Sequence, residues 1–135
     1  MKNKLEEFDS KNRIWGKHLL IDAYNVERKK LRDKQALRKL LKDLPKKFRM
    51  RILGKPLVFK VASKNLGYSN WGLSGFAMLL ESHISFHTWP EEGYVAMDIF
   101  SCKDFNHKTV IDYLKKFWKS EKTIIKVIIR GRKKR

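Results

Sequence analysis

The chain has 135 residues, enough for one domain with a real core and short for two. Its single cysteine, Cys102, excludes an intramolecular disulfide framework and a thiol-held metal. The formal net charge of +18 points toward nucleic acid, an anionic membrane surface or an acidic partner. No apolar run reaches the roughly 18 residues of a membrane-spanning helix, and the charged start MKNKLEEFDSKN is unlike a signal peptide, so the expectation is a cytoplasmic, soluble protein with no membrane partner.

In chain order, HLLIDAY (18–24) alternates, with His18, Leu20, Asp22 and Tyr24 on one side and Leu19, Ile21 and Ala23 on the other, which predicts a strand with one polar face. From Arg28 to about Leu44, Leu37, Leu40, Leu41 and Leu44 recur at helical spacing among lysines and arginines, and Pro45 is read as the stop. PLVFKVAS (56–63) reads as a strand, and the glycines, serines and asparagines of KNLGYSNWGLSG (64–75) signal a long loop. FAMLLES and HISFHTW return to strand character. GYVAMDIFSC (93–102) is apolar on both faces and is expected to be central in the sheet.

Val110, Tyr113, Leu114, Phe117 and Trp118 form the stripe of a second helix, and TIIKVII (123–129) closes as a strand before a basic tail, 131–135. The predicted fold is α+β, a two-layer α/β sandwich whose largely antiparallel sheet is backed by two helices on one face. The other face stays open. Asp22 and Asp98 fall on it and must meet solvent, a ligand or another subunit.

The chemistry concentrates in LLESHISFHTWPEEGY (79–94). A Ser-His-acid hydrolase needs its serine on a glycine-flanked elbow, and none surrounds Ser82. The alternative is attack by the Ser82 hydroxyl on the carbonyl of Glu81. The peptide becomes an ester, elimination breaks the chain, and the serine remnant is a pyruvoyl group at a new N-terminus. That reaction needs a strained peptide bond, donors for the oxyanion and a nearby proton acceptor.

The run ESHISFHTWPEEGYVAMDIFSC resembles the self-processing segment of the bacterial and archaeal S-adenosylmethionine decarboxylases. GKHLLIDAY (16–24) and GLSG (72–75) are similar to further motifs of that family, so the resemblance covers most of residues 16–104. It implies cleavage between Glu81 and Ser82 into chains 1–81 and 82–135, with Ser82 becoming the pyruvoyl cofactor. It also implies His87 as the proton acceptor of processing, Ser74 as its assistant and Cys102 as the proton donor in decarboxylation. Neither pyridoxal phosphate nor a metal is implied. A pyruvoyl ketone forms a Schiff base with the substrate amine and accepts the electron pair left by carbon dioxide, the electron-sink role that pyridoxal phosphate plays elsewhere. A thiol with an ordinary pKa of about 8.5 is protonated at neutral pH and can return the proton.

The family further implies a homodimer with active sites near the subunit interface, and substrate contacts at Tyr68, Trp71 and Glu81. Where relatives commonly have a proline two residues before the GLSG segment, this chain has Asn70, which alters the shape and polarity of a pocket wall. S-adenosylmethionine is the expected substrate. L-ornithine and L-arginine, used by relatives with the same machinery, are the alternatives, and any of them serves polyamine synthesis. A basic nucleic-acid-binding module is the competing class, with Arg28, Lys29, Lys30, Arg32, Lys34 and the tail as its footprint. Such a module would have no use for the ESH run or a distant cysteine.

Overall fold

In the computed structural model, residues 16–62 and 71–131 are described. Strand β1 (Gly16–Tyr24) buries Leu19, Ile21 and Ala23 and leaves His18, Leu20, Asp22 and Tyr24 half-buried, as its alternation requires. The predicted helix 28–44 is instead two pieces, α1 (Arg28–Leu31) and α2 (Lys34–Lys47). Asp33 is the reason for the break. Its carboxylate accepts the Ala36 N–H at 3.0 Å, and that capping geometry is incompatible with a helical residue at the same position. Pro45 lies inside the last turn of α2 rather than beyond its end, and its carbonyl accepts the Met50 N–H at 2.9 Å, folding Met50 back onto the core.

Strand β2 (Ile52–Ala62) is longer than predicted and carries a register irregularity between Leu53 and Leu57, beside the left-handed Gly54. The other departure is β3 (Trp71–Leu79), which claims Trp71–Gly75 from the predicted loop. The glycines there mark close approach within a sheet rather than a turn. A Cβ on Gly72 would sit 2.1 Å from the Thr88 carbonyl oxygen, and one on Gly75 would sit 2.3 Å from the Phe86 ring. Strand β4 (Ser82–Trp89), a 3₁₀ turn (Pro90–Glu92), strand β5 (Tyr94–Ser101), helix α3 (His107–Trp118) and strand β6 (Lys122–Arg130) follow as the patterns predict.

The six strands form one sheet in the order β2-β3-β4-β5-β1-β6, every neighbouring pair antiparallel. Strand β5 is interior, consistent with its two apolar faces. The core lies between one sheet face and the helices: Leu37, Leu40, Leu41 and Leu44 of α2 and Val110, Leu114 and Trp118 of α3 close over Leu19, Ile21, Ile84, Phe86, Met97 and Ile99. This is the α+β two-layer arrangement expected from the sequence. The opposite sheet face carries no helix among the described residues, and Leu57, Phe59, Val61, Phe76, Met78, Ile124 and Ile128 are exposed on it. No helix among the described residues is long and apolar enough to cross a membrane.

Candidate active site

Strands β3 and β4 are joined by a tight hairpin. Leu79 pairs with Ser82 across it, so Leu80 and Glu81 are its tip and the Glu81–Ser82 peptide is the first bond of the return strand. Ser82 is 7% exposed, and its Oγ donates to Met50 Sδ at 2.8 Å. A thioether is a weak acceptor, so this bond costs little to break. From the other side, the Cys102 N–H donates to the Glu81 carbonyl oxygen at 2.8 Å. The carbonyl that Ser82 would attack is thus already polarised by a backbone donor, the element an oxyanion needs. The donor is delivered by the β4–β5 pairing, in which Ser82 stands opposite Ser101, immediately before Cys102.

The segment bearing Cys102 is held from two directions. The Ser101 hydroxyl donates to the Lys103 carbonyl at 2.7 Å and accepts the Lys103 N–H at 2.9 Å, a tight turn around the exposed, free thiol of Cys102. Behind it, Lys17 of β1 is fully buried, and its ammonium donates to the Phe105 carbonyl at 2.6 Å and to Asp104 Oδ1 at 3.1 Å. It also lies 3.2 Å from His107 Nδ1 and 4.7 Å from the centre of the Phe105 ring. Neither Met50 nor Lys17 stands out in the sequence as a site residue. The only available signal for Lys17 is its place on the apolar side of the β1 alternation, where a charge demands partners.

Ser74 and His87 form a separate pair. They are cross-strand partners in β3 and β4, and Ser74 Oγ lies 2.7 Å from His87 Nδ1. His87 is five positions beyond Ser82, about 17 Å along an extended strand at about 3.3 Å per residue, and an odd number of positions puts the two side chains on opposite faces. Within one chain they do not meet. His87 instead faces the open side of the sheet and begins an aromatic row in which Trp89 stacks on Tyr94 at 5.1 Å and Tyr94 stacks on Tyr24 at 5.1 Å.

A cleft at this end of the sheet is lined by Trp71, Ser74, His87, Trp89 and Glu91 among others. Trp71 is half-buried, with the cationic groups of Lys60 and Arg32 4.5 Å and 5.0 Å from its ring centre. Tyr68 lies outside the described residues. Arg28 and Arg32, part of the basic footprint noted in the sequence, both reach Glu91, at 2.9 Å and 2.8 Å.

Asp22 and Asp98 do share the open face, and both are engaged. Tyr94 donates to Asp22 at 2.5 Å, and His18 Nε2 lies 3.0 Å from Asp98. Burial, reinforced by the Asp22 carboxylate, pushes the Tyr94 phenol well above its ordinary range, so it stays a donor. His83 lies between the rings of Phe76 and Phe100, both 5.8 Å away, and burial, with His18 nearby, lowers its pKa.

Comparison with known proteins identifies the family. The family model described as S-adenosylmethionine decarboxylase matches residues 17–131. A protein of Methanococcus maripaludis (strain C7) named S-adenosylmethionine decarboxylase proenzyme is 38% identical over 118 residues, which span 86% of this chain and 89% of the relative. A Clostridium botulinum (strain Langeland, type F) protein of the same name is 36% identical over 118 residues, 87% of this chain and 95% of its own. The crystal structure of the adenosylmethionine decarboxylase from Aquifex aeolicus VF5 superposes with a TM-score of 0.75 at 25% identity, covering 90% of this chain and 94% of that one. With the family's pattern spanning nearly every described element, the chain belongs to the S-adenosylmethionine decarboxylase family.

Proposed function

We propose that the chain is a self-processing carboxy-lyase that cuts itself between Glu81 and Ser82 and then decarboxylates S-adenosylmethionine in the cytoplasm, as a step of polyamine synthesis. The observation that carries this reading is the Glu81 carbonyl, which accepts the Cys102 N–H at 2.8 Å beside a serine whose hydroxyl is held only by a thioether. When the hydroxyl turns from Met50 and adds to that carbonyl, the charge developing on oxygen meets a donor already in position. The names carried by the relatives favour S-adenosylmethionine over ornithine or arginine, and an enzyme over a nucleic-acid-binding module.

The residues fit a pyruvoyl group derived from Ser82. Position 82 opens a strand, stands beside the Cys102 segment and is largely shielded from water. Such a group supplies an electron sink for the pair released as carbon dioxide leaves. The Cys102 thiol, exposed at the sheet's end, is placed to hand a proton to the substrate carbon, and the Lys17 and Ser101 bonds hold the segment that presents it. Trp71 and Glu81, together with Tyr68, are assigned to substrate contacts.

The position of the Ser74–His87 pair supports a homodimer. Proton transfer needs roughly 3 Å, and about 17 Å separates His87 from Ser82 in one chain. A two-fold axis lying between two sheets stacked on their open faces, and running across their strands, sets the Ser82 end of one β4 against the His87 end of the other. The Ser82 hydroxyl, which faces the helices, meets that histidine once it leaves Met50 and turns to the open side. Two identical sites result, each built from both chains. The open face suits this role. Six strands of eight to eleven residues give roughly 28 by 24 Å, about 700 Å² in projection, close to the about 800 Å² per partner of a stable interface. The patch is apolar where an isolated sheet would be polar.

The test is direct. On denaturing electrophoresis the purified protein gives fragments 1–81 and 82–135, and it releases carbon dioxide from S-adenosylmethionine but not from ornithine or arginine. A single intact band after prolonged incubation overturns the self-cleavage. Release from one of the amino acids alone overturns the substrate assignment.

A further inference from the structure

At the β3–β4 turn a surface cleft is lined by Arg49, Met50, Arg51, Leu80, Glu81 and Lys103. Half of these are cations, and they line the cleft beside Glu81 from two distant segments: Arg49 and Arg51 from the link between α2 and β2, Lys103 from the segment after β5. The backbone anchors all three. Leu80 N–H donates to the Arg51 carbonyl at 2.9 Å, and the Lys103 ammonium donates to the Arg49 carbonyl at 3.4 Å. Arg49 adopts a left-handed φ of 54°, which turns Met50 inward to Ser82 while Arg49 and Arg51 stay exposed on either side. Among the described residues, none of the three cations has a carboxylate partner, and Glu81 has no cationic one. The cleft therefore carries a surplus of positive charge at the one bond whose cleavage creates an anion.

We propose that Arg49, Arg51 and Lys103 receive the leaving carboxylate of Glu81 during chain cleavage. The assignment rests on the self-cleavage reading above. After the acyl shift, Glu81 is joined to Ser82 Oγ as a neutral ester. A base, assigned above to His87 of the partner subunit, removes the Ser82 α-proton, and the electron pair forms a Cα–Cβ double bond. The Cβ–O bond then breaks with its pair on oxygen, so Glu81 gains an α-carboxylate beside its side-chain carboxylate. Water hydrolyses the enamine that remains, and ammonia departs. Two like charges on one terminal residue disfavour the elimination unless cations face them. The acyl shift makes a different demand, because its oxyanion is met by the Cys102 N–H. The cations therefore act on the second step, and their loss traps the ester.

The experiment compares the full-length chain with an Arg49→Gln, Arg51→Gln, Lys103→Gln variant, following cleavage with and without neutral hydroxylamine, which cuts esters and spares amides. The variant is expected to eliminate at least about tenfold more slowly, the effect of about 1.4 kcal/mol of lost charge stabilisation. It accumulates a full-length species that hydroxylamine converts to an 82–135 fragment bearing an N-terminal serine. Arginine-to-lysine replacements at 49 and 51 restore the rate, and 1 M salt slows the unmodified chain in the same step. Matching thermal unfolding of the variant and the unmodified chain separates the effect from misfolding. Cleavage of the triple variant at the unmodified rate, or a stall that hydroxylamine does not release, overturns the proposal. Failure of the unmodified chain to cleave overturns the self-cleavage reading itself, a distinguishable result.

Discussion

A composite site makes a quantitative prediction about mixed dimers. Ser82→Ala removes the proposed nucleophile and His87→Ala the proposed proton acceptor, so each variant alone should stay intact. Because Ser82 and His87 stand about 17 Å apart on opposite faces of β4, neither residue can serve its own chain. In a dimer containing one chain of each kind, one site lacks both groups and the other retains both. The retained site contains the serine of the His87→Ala chain, so only that chain is cut. With equal expression and random pairing, about half of all chains sit in mixed dimers, and cleavage should plateau at about half of the His87→Ala chains and none of the Ser82→Ala chains. Co-expression with tags of different mass, followed by denaturing electrophoresis, reads both numbers. An intact His87→Ala chain in isolated mixed dimers would refute the composite site, as would rapid cleavage of His87→Ala alone.

Cys102→Ala keeps the backbone N–H that polarises the Glu81 carbonyl, so it should cleave but decarboxylate poorly or protonate at the wrong atom; full turnover would remove the thiol from the mechanism. Lys17→Met strands the Phe105 carbonyl and releases Asp104, an expected loss of about 2–4 kcal/mol, readable as a lower urea midpoint. An unchanged midpoint would mean that the buried ammonium holds nothing in place. The pKa of His83 is lowered in the fold, so between the folded value and about 6.5 the unfolded chain binds the extra proton. Stability is therefore complete above about pH 6.5 and falls as the pH drops below it. His83→Phe should flatten the acid side of the melting-temperature profile, and an unchanged slope would exclude the histidine as its source. Gly72→Ala drives a Cβ against the Thr88 carbonyl, and the strand shift that relieves it should cost about 1–3 kcal/mol and slow processing through displacement of Ser74.

The one-dimensional pattern reached far where local rules act alone. Alternation in HLLIDAY and GYVAMDIFSC and the leucine stripe of α2 specify elements and their buried faces, because side-chain direction repeats at 2 and 3.6 residues whatever the surroundings. The ESH run and Cys102, at the family's spacing, likewise name the reaction class from order alone. Patterns failed where one residue type answers to two environments. Gly72 and Gly75 read as loop signals, yet the Thr88 carbonyl and the Phe86 ring, sixteen and eleven positions away, are what require them to lack a Cβ. Asp33 could ride a helix or cap one, and the 28–31 turn settles it as a cap.

Only tertiary contact could reveal Met50 holding the Ser82 hydroxyl or Cys102 pointing its amide at Glu81, since the first is delivered by the α2–β2 link and the second by the β4–β5 pairing, not by sequence proximity. The sequence by itself suggested one chemistry for Ser82, His87 and Cys102, through the family that their spacing resembles. The geometry of an extended strand, which advances about 3.3 Å and reverses its face at every residue, decided that one chain cannot bring Ser82 and His87 together.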